Sequence, residues 1–254
     1  MNQFLLSLIS GIFIGGAAGY LGSLMLSKRM ALAAGPLGHL TLPGIALALI
    51  YGFDVSLGAF PCVILGIVLI WFLQIKTPLP MEALTAIVFS AGVAAAFLFL
   101  PIAEAEEALV GDISKVSLGD AFLAVFLCLT VFFLVKRIYP QLILVNISED
   151  LARSEGVDVK KYNLLFLFCV AVIVALGVKI VGGLLTAALV AIPAATSRNL
   201  SRNLFRYKYG SVFFGGVGCS TGIFLSRFLH LPAGPLIILS LTLFFLLSLK
   251  FAKP

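Results

Sequence analysis

The chain has 254 residues, 61% of them hydrophobic and only 11% charged, with a mean hydropathy of +1.17 and a formal net charge of +6. A water-soluble domain carries about 25% charged residues, so this composition excludes a soluble domain, because too little polar surface exists to wrap the apolar mass. The excess of positive charge reads as cytoplasmic-loop bias rather than a nucleic-acid surface, since the basic loops lack the aromatic platforms that bind single strands.

The expected fold is all-α: a polytopic membrane helical bundle, with residues 1–254 forming one membrane domain. The opening MNQFLLSLISG lacks a basic leader region and reads as the start of a span. Apolar stretches fall at about 4–27, 37–53, 57–75, 83–101, 118–135, 162–180, 181–197, 210–229 and 233–249, several of them near the lower limit of about 17 residues for a crossing. About eight or nine transmembrane helices are expected. Lys28 and Arg29, Lys76, Lys136 and Arg137, Lys160 and Lys161, the Arg198–Lys208 cluster, and Lys250 with Lys253 then all fall on one side. Asp54 and the acidic run 104–112 fall on the other, which predicts an outside N-terminus and an inside C-terminus. Lys179 and Arg227 lie near span ends, where long side chains reach the interface.

Within this frame, His39 raises the first chemical question. It follows Lys28 and Arg29 by a helical rise of about 16 Å, roughly half of a bilayer core of about 30 Å. Ionisable groups at that depth are costly and often functional, and imidazole is a common ligand for zinc and other transition metals. The alternative is a histidine hydrogen-bonded to a neighbouring helix. The 24 glycines, as in GIFIGGAAGYLG and GGVGCSTG, permit close helix approach, or else mark breaks that line a path.

Asp112 and Asp120, in VGDISKVSLGD, flank a polar link on the outer side. They could cap and turn the chain into the fifth span, or gather cations at an entrance. The loop 136–161 is the most polar stretch, and NISEDLARSEGVDVKK within it encodes a short helix. Ser148 suits the N-cap, Glu149 and Asp150 the positive end of the helix dipole, and Gly156 the position beyond its end. So short a helix is unstable alone, so either the membrane domain or another protein must hold it, unless the segment is a solvated connector.

Cys62, Cys128, Cys169 and Cys219 all sit in apolar runs without CxxC spacing and read as small hydrophobes. Apart from His39, no charged or histidine side chain falls deep in a span, so the carboxylate relays of proton- or sodium-driven carriers are missing. No GxxxxGK[ST] phosphate loop occurs either. If the chain pumps, its energy comes from a partner, and the chain itself is not an enzyme.

Taken in order, GYLGSLMLSKRMALAAGPLGHLTLPGIALA, ALVGDISKVSLGD, NISEDLARSEGVDVKKYNLL, VGGLLTAALVAIPAATSRNLSR and FLHLPAGPLIIL resemble the motifs of the permease subunits of ABC-type zinc/manganese importers, nearly end to end. The resemblance implies a multi-pass permease of the bacterial cytoplasmic membrane. It also implies a second permease copy forming the pore as a homodimer or heterodimer, a cytoplasmic ABC ATPase that binds ATP, and an extracytoplasmic metal-binding protein. It assigns Ser148, Glu149, Asp150, Leu151, Ala152, Arg153 and Gly156 to the coupling segment that docks on the ATPase. It makes His39 the leading contact for a transported Zn2+ or Mn2+ ion, a substrate rather than a resident cofactor, and places Asp112 and Asp120 at the outer mouth. There is a departure: one turn before His39 the family usually has an aspartate, and here stands Gly35. IVFSAGVAAAF also lacks a histidine found in zinc-side relatives, whereas LPAGP resembles the zinc branch. With few oxygen donors along the path, zinc is expected ahead of manganese or iron. Two alternatives stay open: a stand-alone metal carrier or channel, and an ABC permease for a metal chelate or cobalamin-like cargo, whose permeases are longer.

Overall fold

The computed structural model describes residues 3–28, 34–53, 55–98, 117–183 and 185–251, and every regular element among them is helical. In chain order these are α1 (Gln3–Ser27), α2 (Ala34–His39), α3 (Leu42–Tyr51), α4 (Val55–Lys76), α5 (Met81–Phe97), α6 (Leu118–Ile147), α7 (Glu149–Ser154), α8 (Val159–Val181), α9 (Thr186–Leu200), α10 (Leu204–Leu229) and α11 (Ala233–Ser248), with a closing 3-10 turn at Leu249–Phe251. Among the described residues, six helices are long and apolar enough to cross a membrane: α1, α4, α6, α8, α10 and α11. α5, with 17 residues, is shorter.

α1 forms the axis of the bundle, and Ala18, Tyr20, Leu21, Leu24 and Met25 along it are all buried. Its glycines explain how neighbouring helices come so close. A methyl group on Gly15 would collide with the Gly215 carbonyl of α10, and one on Gly215 would collide with the Gly15 carbonyl. Further along α1, Gly19 lies against the Ser211 carbonyl and Gly22 against that of Val190 in α9. With lipid on the outside, helices gain little from hiding apolar side chains from one another, and such backbone contact supplies the dispersion that holds them together.

Three sequence expectations need correction. The predicted span 37–53 is two helices, because the chain turns at Leu40–Thr41 between α2 and α3. The predicted span 181–197 is displaced toward the C-terminus, since Gly182, with φ +90°, ends α8 and α9 begins only at Thr186. The polar loop 136–161 is mostly helix, because α6 runs on through Lys136, Arg137 and Pro140 to Ile147. Its 30 residues rise about 45 Å, well beyond a hydrocarbon core of about 30 Å, so its last turns stand clear of the membrane. Polarity there marks an emerging helix and not a loop.

Ser27, Lys28, Thr77, Asn146, Glu149 and Asn163 line one cavity of about 760 Å³. The C-terminal ends of α1, α4 and α6 and the N-terminal end of α8 therefore share one end of the bundle, where Lys28, Lys76 and Lys160 lie.

Candidate functional site

His39 is the last residue of α2, just before the turn. The break there satisfies its own backbone: Leu40 N–H donates to the Pro36 carbonyl at 3.2 Å, Thr41 N–H to Gly38 at 3.3 Å, and the Thr41 hydroxyl to the same Gly38 carbonyl at 2.7 Å. Pro43, in the first turn of α3, restarts the helix where its missing N–H does no harm. Leu40 fills the space above Gly66 of α4 and Gly92 of α5. Those glycines lie 10 and 11 residues from Lys76 and Met81, about 16 Å along their helices, so the break sits midway through the bundle. A broken helix at that depth exposes backbone groups and a side chain to a path without exposing them to lipid.

The imidazole is half-buried, with its ring centroid 5.4 Å from that of Phe89 on α5. Among the described residues no group of three or more His, Cys, Asp or Glu gathers there or elsewhere. Among the described residues, this place offers a metal one nitrogen donor against an aromatic face, with no closed cage. The four cysteines are free thiols; Cys128, Cys169 and Cys219 are buried.

The corner around α7 has the opposite chemistry. The Ser148 hydroxyl accepts from Leu151 N–H at 3.2 Å and caps α7. Arg153 pairs with Glu149 one turn away at 3.3 Å. Gly156, with φ +76°, takes the left-handed conformation that reverses the chain toward α8, and Asp158 caps α8 through Lys161 N–H at 3.1 Å. Ala152 is fully buried and packs with Val145 of α6 and Val159 of α8. This small core answers the question of what holds so short a helix. α7 is clamped by its own chain on one face, and on the other it presents Glu149, Asp150, Leu151 and Arg153 to the outside. Leu151, 47% exposed, is the apolar side chain of that outward face.

Of the outer-mouth candidates, Asp112 lies outside the described residues. Asp120 serves a capping box at the start of α6: Ser117 N–H and hydroxyl donate to its carboxylate at 3.0 and 2.9 Å, and Asp120 N–H donates to the Ser117 hydroxyl at 3.2 Å. In the sequence Lys28 reads only as a topology marker. The structure turns it inward, with Nζ donating to Asn163 Oδ1 at 2.9 Å and standing 4.8 Å over the Phe166 ring. No local signal in the sequence distinguishes it from the other interfacial lysines, because both partners lie on α8.

His39 and the corner are separate places, joined by α8. The N-terminal end of α8 holds α7 through Val159, and the Gly183 carbonyl just past its other end meets Gly38 beside His39.

A bundle of apolar helices with a break at mid-depth and a clamped helix at one end defines a polytopic α-helical membrane protein. The chain matches the ABC 3 transport family over residues 1–252, and it belongs to that family. It is 27% identical over 246 residues to the manganese import system permease protein ScaB of Streptococcus parasanguinis, covering 95% of this chain and 88% of that one. It is 24% identical over 254 residues to the high-affinity zinc uptake system membrane protein ZnuB of Buchnera aphidicola subsp. Baizongia pistaciae, covering 97% of each. Among solved structures it is similar to PsaBC from Streptococcus pneumoniae in complex with Fab, at 25% identity and a TM-score of 0.83, over 98% of this chain and 91% of that one.

Proposed function

We propose that this chain is the membrane-spanning permease subunit of an ATP-driven importer of divalent transition metal ions in a bacterial cytoplasmic membrane. The observation that carries this reading is the family match over nearly the whole chain, joined to relatives named for manganese import and for zinc uptake. In this reading two permease copies, identical or paralogous, form the path, and about eight or nine segments per copy cross or enter the membrane, counting the broken and short helices. The outward face of α7, with Leu151 at its centre, docks on a cytoplasmic ABC ATPase. An extracytoplasmic metal-binding protein delivers the ion to the outer mouth, where Asp112 is the candidate carboxylate.

His39 supplies a transient contact for the ion at the helix break. Conduction needs binding strong enough to admit an ion and weak enough to release it, and one imidazole per copy meets that demand better than a closed tetrahedral site. Zinc is the proposed cargo ahead of manganese, because imidazole suits zinc and manganese prefers oxygen donors, of which this segment has few. Alternating access follows from rigid-body motion of the two copies as the ATPases close.

The test is uptake into liposomes holding the permease with its ATPase and binding protein. ATP-dependent zinc accumulation is expected, with manganese competing poorly. His39→Ala is expected to lower it about tenfold, or ~1.4 kcal/mol of interaction. Full uptake and unchanged metal preference in the variant would return His39 to a structural role. Uptake by the permease alone, driven by an ion gradient, would establish a stand-alone carrier instead.

A further inference from the structure

Resting on the reading of α7 as the docking element, we propose that Lys28 is a positioning residue for coupled transport: its ammonium pins the end of α1 to α8 beside α7. The geometry is specific. Lys28 follows α1 directly, and its Nζ reaches across to Asn163 Oδ1 at 2.9 Å and over the Phe166 ring at 4.8 Å. Asn163 is only 4% exposed and Phe166 is fully buried, so the anchor point on α8 is rigid. Both contacts lie on the helix whose first residue, Val159, clamps α7. A push on α7 therefore moves α8 with it, and through Lys28 it moves the end of α1.

The other end of α8 completes the connection. Gly183, just beyond it, packs its carbonyl against Gly38, next to His39. α8 thus meets the α7 corner and the end of α1 near one of its ends, and the short helix carrying His39 just past the other.

The charge on Lys28 is what makes the tie. The charged groups facing the cavity around it are Glu149 of α7 and Glu82 of α5, while α4, α6 and α8 contribute Gln74, Asn146 and Asn163, which do not titrate. Burial pushes the Lys28 ammonium down to about 8, with Glu149 opposing that fall. A neutral amine still donates to Asn163, but it loses the attraction to the Phe166 face and to Glu149. The tie should weaken as pH rises through about 8.

The experiment reads metal uptake and ATP hydrolysis in the same vesicles, using the permease with its ATPase and binding protein and zinc as the transported probe. Lys28→Ala is expected to keep ATP hydrolysis within about twofold and to lower metal moved per ATP about tenfold, ~1.4 kcal/mol. Lys28→Arg, which stays charged at all these pH values, is expected to restore most of that ratio. Wild-type coupling should fall between pH 7 and 9, and coupling of the arginine variant should stay flat. Asn163→Ala should resemble Lys28→Ala, which keeps the proposal open to test even where Lys28→Ala folds poorly. An unchanged ratio in Lys28→Ala and Asn163→Ala, or identical pH profiles for lysine and arginine, overturns the inference and leaves the proposed function standing. Wild-type vesicles that move no metal overturn the proposed function, and this inference with it.

Discussion

The corner around α7 and the break around His39 are two irregular places in the bundle, and they are held by different physics. At the corner, each turn of chain is satisfied by its own neighbours: Ser148 caps α7, Glu149 pairs with Arg153, Asp158 caps α8, and Gly156 reverses the chain in open space. At the break, the local hydrogen bonds of Leu40 and Thr41 only tidy the backbone. Its position depends on distant glycines: Gly66, Gly92 and Gly183 against Leu40 and Gly38, and Gly58 against Gly44 of α3. The corner carries its instructions locally, and the break is defined by the surfaces of the helices it packs against.

The sharpest way to break this contrast is to fill the seam beside the break. In Gly44→Leu the added side chain meets the Gly58 carbonyl of α4, which cannot swing aside as a side chain would. The expected loss is about 3 kcal/mol of stability, the upper part of the range for overpacking, read as a lower thermal midpoint and poor monodispersity in detergent. A wild-type midpoint would mean that α3 and α4 are not locked together. The next largest effect belongs to the corner. Leu151→Asp alters an exposed side chain, so the midpoint should move by no more than about 0.5 kcal/mol, while ATP-driven metal uptake should fall at least about tenfold, ~1.4 kcal/mol. Equal losses in stability and uptake would instead make Leu151 part of the fold. The smallest effect is Ser148→Ala, which removes one cap at a cost of about 1 kcal/mol, confined to α7. Hydrogen exchange should quicken at Leu151 and Ala152 and stay unchanged in α1. Exchange that quickens in both would show that the corner and the bundle core unfold together.

Much of the corner was legible in the sequence because its signals are short-range. A serine followed by two acids, an arginine one turn on, and a glycine after that mark a helix of one or two turns with its caps, and the structure shows α7 as Glu149–Ser154. The capping alternative for Asp120 was legible for the same reason, since Ser117 and Asp120 stand three residues apart. Hydropathy, however, extended only to the apolar part of α6. It could not show that the helix continues past Lys136 and Arg137, because a helix leaving the membrane keeps its hydrogen bonds while losing its apolar composition. Pro36 and Pro43 signalled that a break was near, but hydropathy did not place it at Leu40–Thr41, since Leu37, Leu40 and Leu42 keep the stretch apolar.

From the sequence alone came the membrane character, the helical class and the α7 segment. Each of these depends on composition or on hydrogen bonds a few residues long. Only the tertiary structure decided that His39 stands at an interrupted helix against Phe89, that Ala152 clamps α7 to its own bundle, and that Lys28 turns inward to Asn163. Those outcomes depend on partners 135 residues away in the case of Lys28, and on the close approach of backbones whose fit no single segment encodes.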